Sequence, residues 1–206
     1  EAGQPNGARS EFKTWSLAAG AADDFGFAGS VSINRVSYVT EAAVGAGTAL
    51  VATNTVNVMA TNDIGLQTLA GGAGFGEDAG VGVGVSVAVV NPTTHATVGD
   101  NAVIDAGGDT TVRARTSLNP MAFPLGDIPL LPSTIDVMSV AAGGGVSTSG
   151  SAIAGSVVVN VFTNDTLASL GRNVLVNQNA TAQAGQDVTI DAQDHTRIVS
   201  VAGALA

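Results

Sequence analysis

The chemistry open to this chain is narrow. Among 206 residues there are no cysteines, two histidines, one tryptophan and one tyrosine. His95 and His195 fall in segments that do not correspond to one another, and each reads as a solvated or strand-face histidine. No HExxH, GxSxG or P-loop lysine motif is present. The run GAGFGEDAG (Gly72–Gly80) has the glycines of a phosphate loop. It lacks the lysine and the following helix, so it reads as a turn. Two acidic pairs, Asp23/Asp24 and Glu77/Asp78, occupy corresponding places, where a third segment carries Ser147-Thr148-Ser149. Calcium needs six to eight oxygens from several residues, and two carboxylates on a turn do not supply them. Calcium is the one ion these tips could take; the simpler reading is solvated turn residues. The Asn164-Asp165-Thr166 cluster reads as turn or edge polarity. No catalytic, cofactor-binding or metal-ligating residue is assigned, no cofactor is expected, and the chain is read as not an enzyme.

The elements that would carry these residues are legible as a repeat. Three segments align: SVSINRVSYVTEAAVG ending at Gly45, VSVAVVNPTTHATVG ending at Gly99, and SVVVNVFTNDTLASLG ending at Gly171. These closing glycines give spacings of 54 and 72. Each segment is preceded by a matching piece (WSLAAGAA, TLAGGAGF, MSVAAGGGV) and followed by another (NTVNVMATN, GDTTVRARTS, QDVTIDAQD). VSVAGALA, at residues 199–206, begins a fourth copy. The divisions that follow are residues 1–14 as a linker or non-native remnant and 15–65 as a first repeat. Residues 66–136 form a second repeat, with a Pro-rich insertion at 117–136. Residues 137–197 form a third, and 198–206 start a fourth. The insertion holds four of the six prolines, a density that argues against ladder strands. It reads as an excursion packed along a neighbouring sheet, or as a docking loop for a partner.

Within the repeats the apolar period is two. Val81, Val83, Val85, Val87 and Val89 alternate with Gly80, Gly82, Gly84, Ser86 and Ala88. Alternating glycine and valine is poor helix and good strand. A glycine–alanine face implies close approach of another backbone, so both faces of these strands are expected to be covered. Turn signals at residues 22–24, 76–78 and 147–150 read as the tips of long hairpins, each hairpin followed by two or three shorter strands. The expected fold is all-β: an elongated β-solenoid or β-helix-like array of tandem repeats. The alternative is a hairpin-based tandem β-domain, intertwined with a second copy.

Charge and composition narrow the partners. Lys and Arg total seven against seventeen Asp and Glu, for a net charge of −10. Arg113 and Arg115 form the densest basic pair, which argues against nucleic acid and against anionic membranes. No apolar run is long enough to span a bilayer as a helix. Carboxylates are spread along the array with no aromatic platform for a sugar. Unpaired apolar strands at the ends of such an array would favour self-association.

SVAVVNPTTHATVGDNAVIDAGGDTTVRARTS and SVVVNVFTNDTLASLG…AGQDVTIDAQDHTRIVSVAGALA resemble the repeats of giant bacterial filamentous adhesins, in particular leukotoxin-family filamentous adhesins. The likeness covers the chain from about Trp15, apart from the insertion. It implies a structural repeat module of a secreted or cell-surface protein, serving as stalk and contact surface. Its neighbours would be further repeats of the same long chain, and the family pattern brings no catalytic residues. A β-helical polysaccharide-active enzyme or a phage tail-fibre segment is the alternative.

Overall fold

The computed structural model describes residues 2–3, 9–124, 134–178 and 185–206. Among them it is all-β, with no helix. In chain order the strands are β1 (Ala2–Gly3), β2 (Ser10–Ala21), β3 (Phe25–Val44), β4 (Ala49–Ala52), β5 (Val56–Gly76), β6 (Ala79–Val98), β7 (Val103–Ala106) and β8 (Thr110–Pro124). There follow β9 (Thr134–Val137), β10 (Ser139–Ser147), β11 (Ser151–Phe162), β12 (Asp165–Leu170), β13 (Leu175–Val176), β14 (Val188–Thr196) and β15 (Ser200–Leu205).

The strands form three sheets. Sheet A holds β1, β2, β5, β8, β9, β10, β14 and β15; sheet B holds β3, β6, β11 and β12; sheet C holds β4, β7 and β13. The chain visits them in the order A, B, C, then returns to A. β2 begins at Ser10, and Phe12 packs on the core cluster of Val36, Ile64 and Leu66. Residues 10–14, expected to be linker, are therefore strand, while residues 4–8 lie outside the described residues.

Pairing is parallel throughout, except between β8 and β9. Ser10 lies beside Ile64, Phe25 beside Ala79, Ala49 beside Val103 and Val56 beside Thr110, each at an offset of 54. Farther along, Thr68 lies beside Ser139, an offset of 71. The increase arises across the Pro-rich insertion. Ala79 pairs with Ser151 and Val103 with Leu175, both at 72. The offset is 78 at Thr110–Val188 and falls to 61 at Ser139–Ser200, where no second insertion occurs.

The expected hairpins are not formed. The strands on either side of residues 22–24, 77–78 and 148–150 belong to different sheets. The chain arches from A to B and the two sheets face each other. The reason lies in the small residues. In β6, Gly80, Gly82, Gly84, Ser86 and Ala88 point inward and are buried. A Cβ added at Gly82 would fall on the carbonyl oxygen of Gly144 in sheet A, and one at Gly72 on that of Val83 in sheet B. The sheets thus approach closer than the ~10 Å that ordinary side chains impose. Strands hydrogen-bonded edge to edge could not make that contact.

The large residues, expected to be covered, face outward instead. Val31 is 57%, Ile33 64% and Ile153 59% exposed. The sheets diverge away from the arch. There the interior takes full side chains: Val36, Ile64, Leu66, Val90, Leu118 and Met138 in one cluster, and Val58, Val98, Ile104 and Val112 in the next, against sheet C.

Among the described residues three prolines stand in ladders, and two of them, Pro120 and Pro124, lie in the insertion expected to be free of ladder strands; Pro124 is in register with Thr134 of β9. Pro120 is in register with Leu66 and lies beyond the last β14 pairing at Leu118, so its missing N–H falls at a free edge. Pro92 sits within β6 beside Tyr38 of β3. On the other side the ladder is interrupted between β11 and β12, opposite this residue without an amide proton.

The close approach gives a matched pair of expectations. Gly82→Val should lower the unfolding free energy in urea by about 3 kcal/mol or more, through overpacking. Gly155→Val, at an outward position of the same sheet where a Cβ meets nothing within 4 Å, should leave it unchanged or raise it. Equal effects would contradict backbone-to-backbone packing.

Candidate functional site

The acidic tips stack on one another. Glu77 N donates to Asp23 O at 2.8 Å and Asp78 N to Asp24 O at 2.9 Å. In the next layer Ser149 N donates to Glu77 O at 2.9 Å, joined by the hydroxyls of Ser147 and Ser149. The carbonyls that would complete a cation shell are thus engaged by the neighbouring tip. Among the described residues no group of three or more His, Asp or Glu is placed to hold a metal.

A second column of turns uses left-handed backbone. Gly47, Asn101 and Asn173 have φ of 67°, 59° and 54°, a region that glycine and asparagine tolerate best. The Asn173 amide donates to Asn101 Oδ1 at 3.3 Å, and Asp100 Oδ1 accepts from Arg172 N at 2.7 Å.

The histidines are not brought together. His95 projects from β6 with Nε2 3.0 Å from Asp165 Oδ2. His195, on β14, lies in register with Ser117, which lies in register with Asp63. A Ser–His–Asp relay needs the imidazole between hydroxyl and carboxylate. Here the serine holds the middle strand, and its hydroxyl accepts from Asn119 Nδ2 at 2.8 Å. The basic pair is divided as well. Arg113 is tied to Asp191 at 3.1 Å, and Arg115 stands in the next outward row beside Thr61 and Gln193.

Polar residues scattered in the sequence meet inside. Ser86 donates to Thr68 at 2.7 Å, Thr68 to Ser139 at 3.0 Å, Ser139 to Asn160 at 2.6 Å, and Asn160 to Ser200 at 2.6 Å. A second ladder joins Thr116 to Thr94 at 2.8 Å and to Thr166 at 2.7 Å. Asn164 donates to Asp194 and Thr196. Of residues 164–166, expected to be turn or edge polarity, Asn164 and Thr166 tie across to sheet A, while Asp165 is exposed and faces His95 of its own sheet. The missed signal was their common place in each aligned segment, opposite a strand far away in sequence.

The insertion is anchored by a buried side chain that sequence reading passed over. Gln67 is 1% exposed. Its Oε1 accepts from the Trp15 indole at 3.0 Å, and its amide donates to the carbonyl of Met121 at 3.4 Å. Trp15 and Phe123 meet in a tilted ring contact, with centroids 5.7 Å apart and planes at 59°. Arg9 donates to the carbonyls of Asn119 and Pro120, both at 3.1 Å. Residues 117–120 of the insertion thus continue β8 within sheet A, with Leu118 in the core, and Met121–Phe123 lie against Trp15 and Gln67. Leu125, Ile128, Leu130 and Leu131 lie outside the described residues.

No family model, no curated protein and no solved structure matches the chain.

Trp15 is the sole tryptophan, so its fluorescence reports on this anchor alone. Gln67→Leu should strand the indole N–H without its acceptor, lower stability by about 1–2 kcal/mol, and increase acrylamide quenching of Trp15. Unchanged quenching would show that the glutamine does not hold the insertion in place.

Proposed function

We propose that the chain is a structural stretch of a parallel β-solenoid, acting as stalk and contact surface of a large bacterial cell-surface protein of the filamentous-adhesin type. The observation that carries the reading is the pairing offset of 54 shared by sheets A, B and C. Three sheets visited in fixed order, with one interval common to all three in the first circuit, support a chain wound as a coil. The sequence likeness to adhesin repeats supplies the extracellular setting. The outward rows offer ion pairs, turns and apolar faces rather than a cleft with reacting groups, which suits a contact surface.

Such a coil advances slowly. Each circuit adds one strand spacing, ~4.8 Å, while a strand of 20 residues spans roughly 66 Å. Length along the axis therefore grows only with many circuits. The test is to insert further in-frame copies of residues 56–109 between Asp109 and Thr110. Each copy should lengthen the particle by about 4.8 Å at constant cross-section in solution scattering. Copies that instead form separate beads, extending the particle by tens of ångströms each, would overturn the reading.

A further inference from the structure

The outer face of sheet B carries no charged residue over its first ten positions from the arch. Its rows are Phe27–Val81–Ile153, Gly29–Val83–Gly155, Val31–Val85–Val157 and Ile33–Val87–Val159. Phe25 and Phe27 are 56% and 60% exposed. From Phe25 to Asn34 no charged residue lies on β3; Arg35 is the first. Three strands by ten residues cover roughly 14 by 33 Å. Two such faces together bury roughly 900 Å² in projection, which belongs to the weak, transient end of specific interfaces, below ~1,200 Å².

We propose that this face is the interface of a homodimer, in which sheet B of one copy packs on sheet B of a second with the strands antiparallel. Charge selects this arrangement. The face is bounded at the arch by Asp23, Asp24, Glu77 and Asp78, and at its other end by Arg35 on β3. Strands running the same way would set acidic tip against acidic tip in a molecule of net charge −10. A two-fold axis along the stacking direction reverses the strands and keeps their order, so β3 faces β3. Arg35 then meets the partner copy's acidic arch, and the Phe27 row lies over the Ile33 row. The glycines at 29 and 155 leave notches on either side of Val83 that can receive the branched side chains opposite.

The experiment is sedimentation equilibrium of the full chain from 1 to 100 µM, beside single-site variants. A dimer mass is expected. Ile33→Lys, at a position already 64% exposed, should weaken dimerisation by at least about thirtyfold with an unchanged circular dichroism spectrum. Ala142→Lys on sheet A, the control face, should not. Because the chain has no cysteine, orientation is readable by cross-linking. Phe27→Cys mixed with Ile33→Cys should link through a short bismaleimide, and neither alone should. A monomer at 100 µM, a dimer insensitive to Ile33→Lys, a dimer lost with Ala142→Lys, or self-linking of Phe27→Cys would each overturn the proposal. So would a monomer that binds neutral phosphatidylcholine vesicles through this face.

Discussion

Contact between two backbones governs this molecule. At the arch, sheets A and B meet through glycine and alanine, with the carbonyls of one sheet set where the Cβ atoms of the other would be. That contact requires a residue without a side chain at alternate positions of both sheets, which the runs LAGGAGFG and AGVGVGVS supply. It also fixes which face points out, because the valines between the glycines have no room inside. The ordinary expectation that large apolar residues are buried is therefore inverted along half of each long strand.

This inversion redistributes the energetics. Where glycine faces glycine, little apolar area is removed from water, and hydrogen-bonded ladders with close dispersion contacts must offset the entropy of ordering flexible residues. Away from the arch the sheets part. Ile64, Leu66, Leu118, Met138 and Ile104 are wholly buried there, and the hydrophobic term regains its usual weight. The cross-section is a wedge: thin at the acidic tips, thick beside sheet C. Beyond Pro120, Met121–Phe123 leave this interior and are held by the buried Gln67 and by Trp15.

Much of this was legible in the residues, and the failures share a cause. Period two, the small-residue face and the spacing of the closing glycines are local or self-comparative signals. The interval from Gly45 to Gly99 and that from Gly99 to Gly171 are the two pairing offsets of sheets B and C. A turn such as Ala22-Asp23-Asp24 has the same composition whether the chain then pairs with itself or arches into a second sheet. Only the partner strand decides, and it lies far off in sequence: Ala21 pairs with Phe75, and Phe25 with Ala79. Gln67 could not be read because its partners, Trp15 and Met121, stand on different strands. Pro120 defeated a rule about ladders that holds only when both neighbours are present. The histidines, read as ordinary strand-face residues, stand apart from one another in the structure.

The remaining question is what fixes the register, since Val-Gly-Val-Gly does not. A shift of one residue would drive valine into the narrow interior, but a shift of two returns glycine to glycine and leaves each face as it was. Within residues 80–85 the sequence has no preference between these states. The polar interior supplies it. Thr68 reaches Ser86 and Ser139, and Thr116 reaches both Thr94 and Thr166. A slip of two places at least one of these hydroxyls opposite alanine, leucine or valine in a dry core, where an unmade hydrogen bond is costly. The left-handed turns at Gly47, Asn101 and Asn173 act at the far end of sheet B, because residues displaced into them would need a side chain that tolerates positive φ. Pro92 adds a third mark, ending the ladder opposite itself. The small-residue stripe brings the sheets together, and the few polar and turn residues beside it select one alignment from several that the stripe alone would accept.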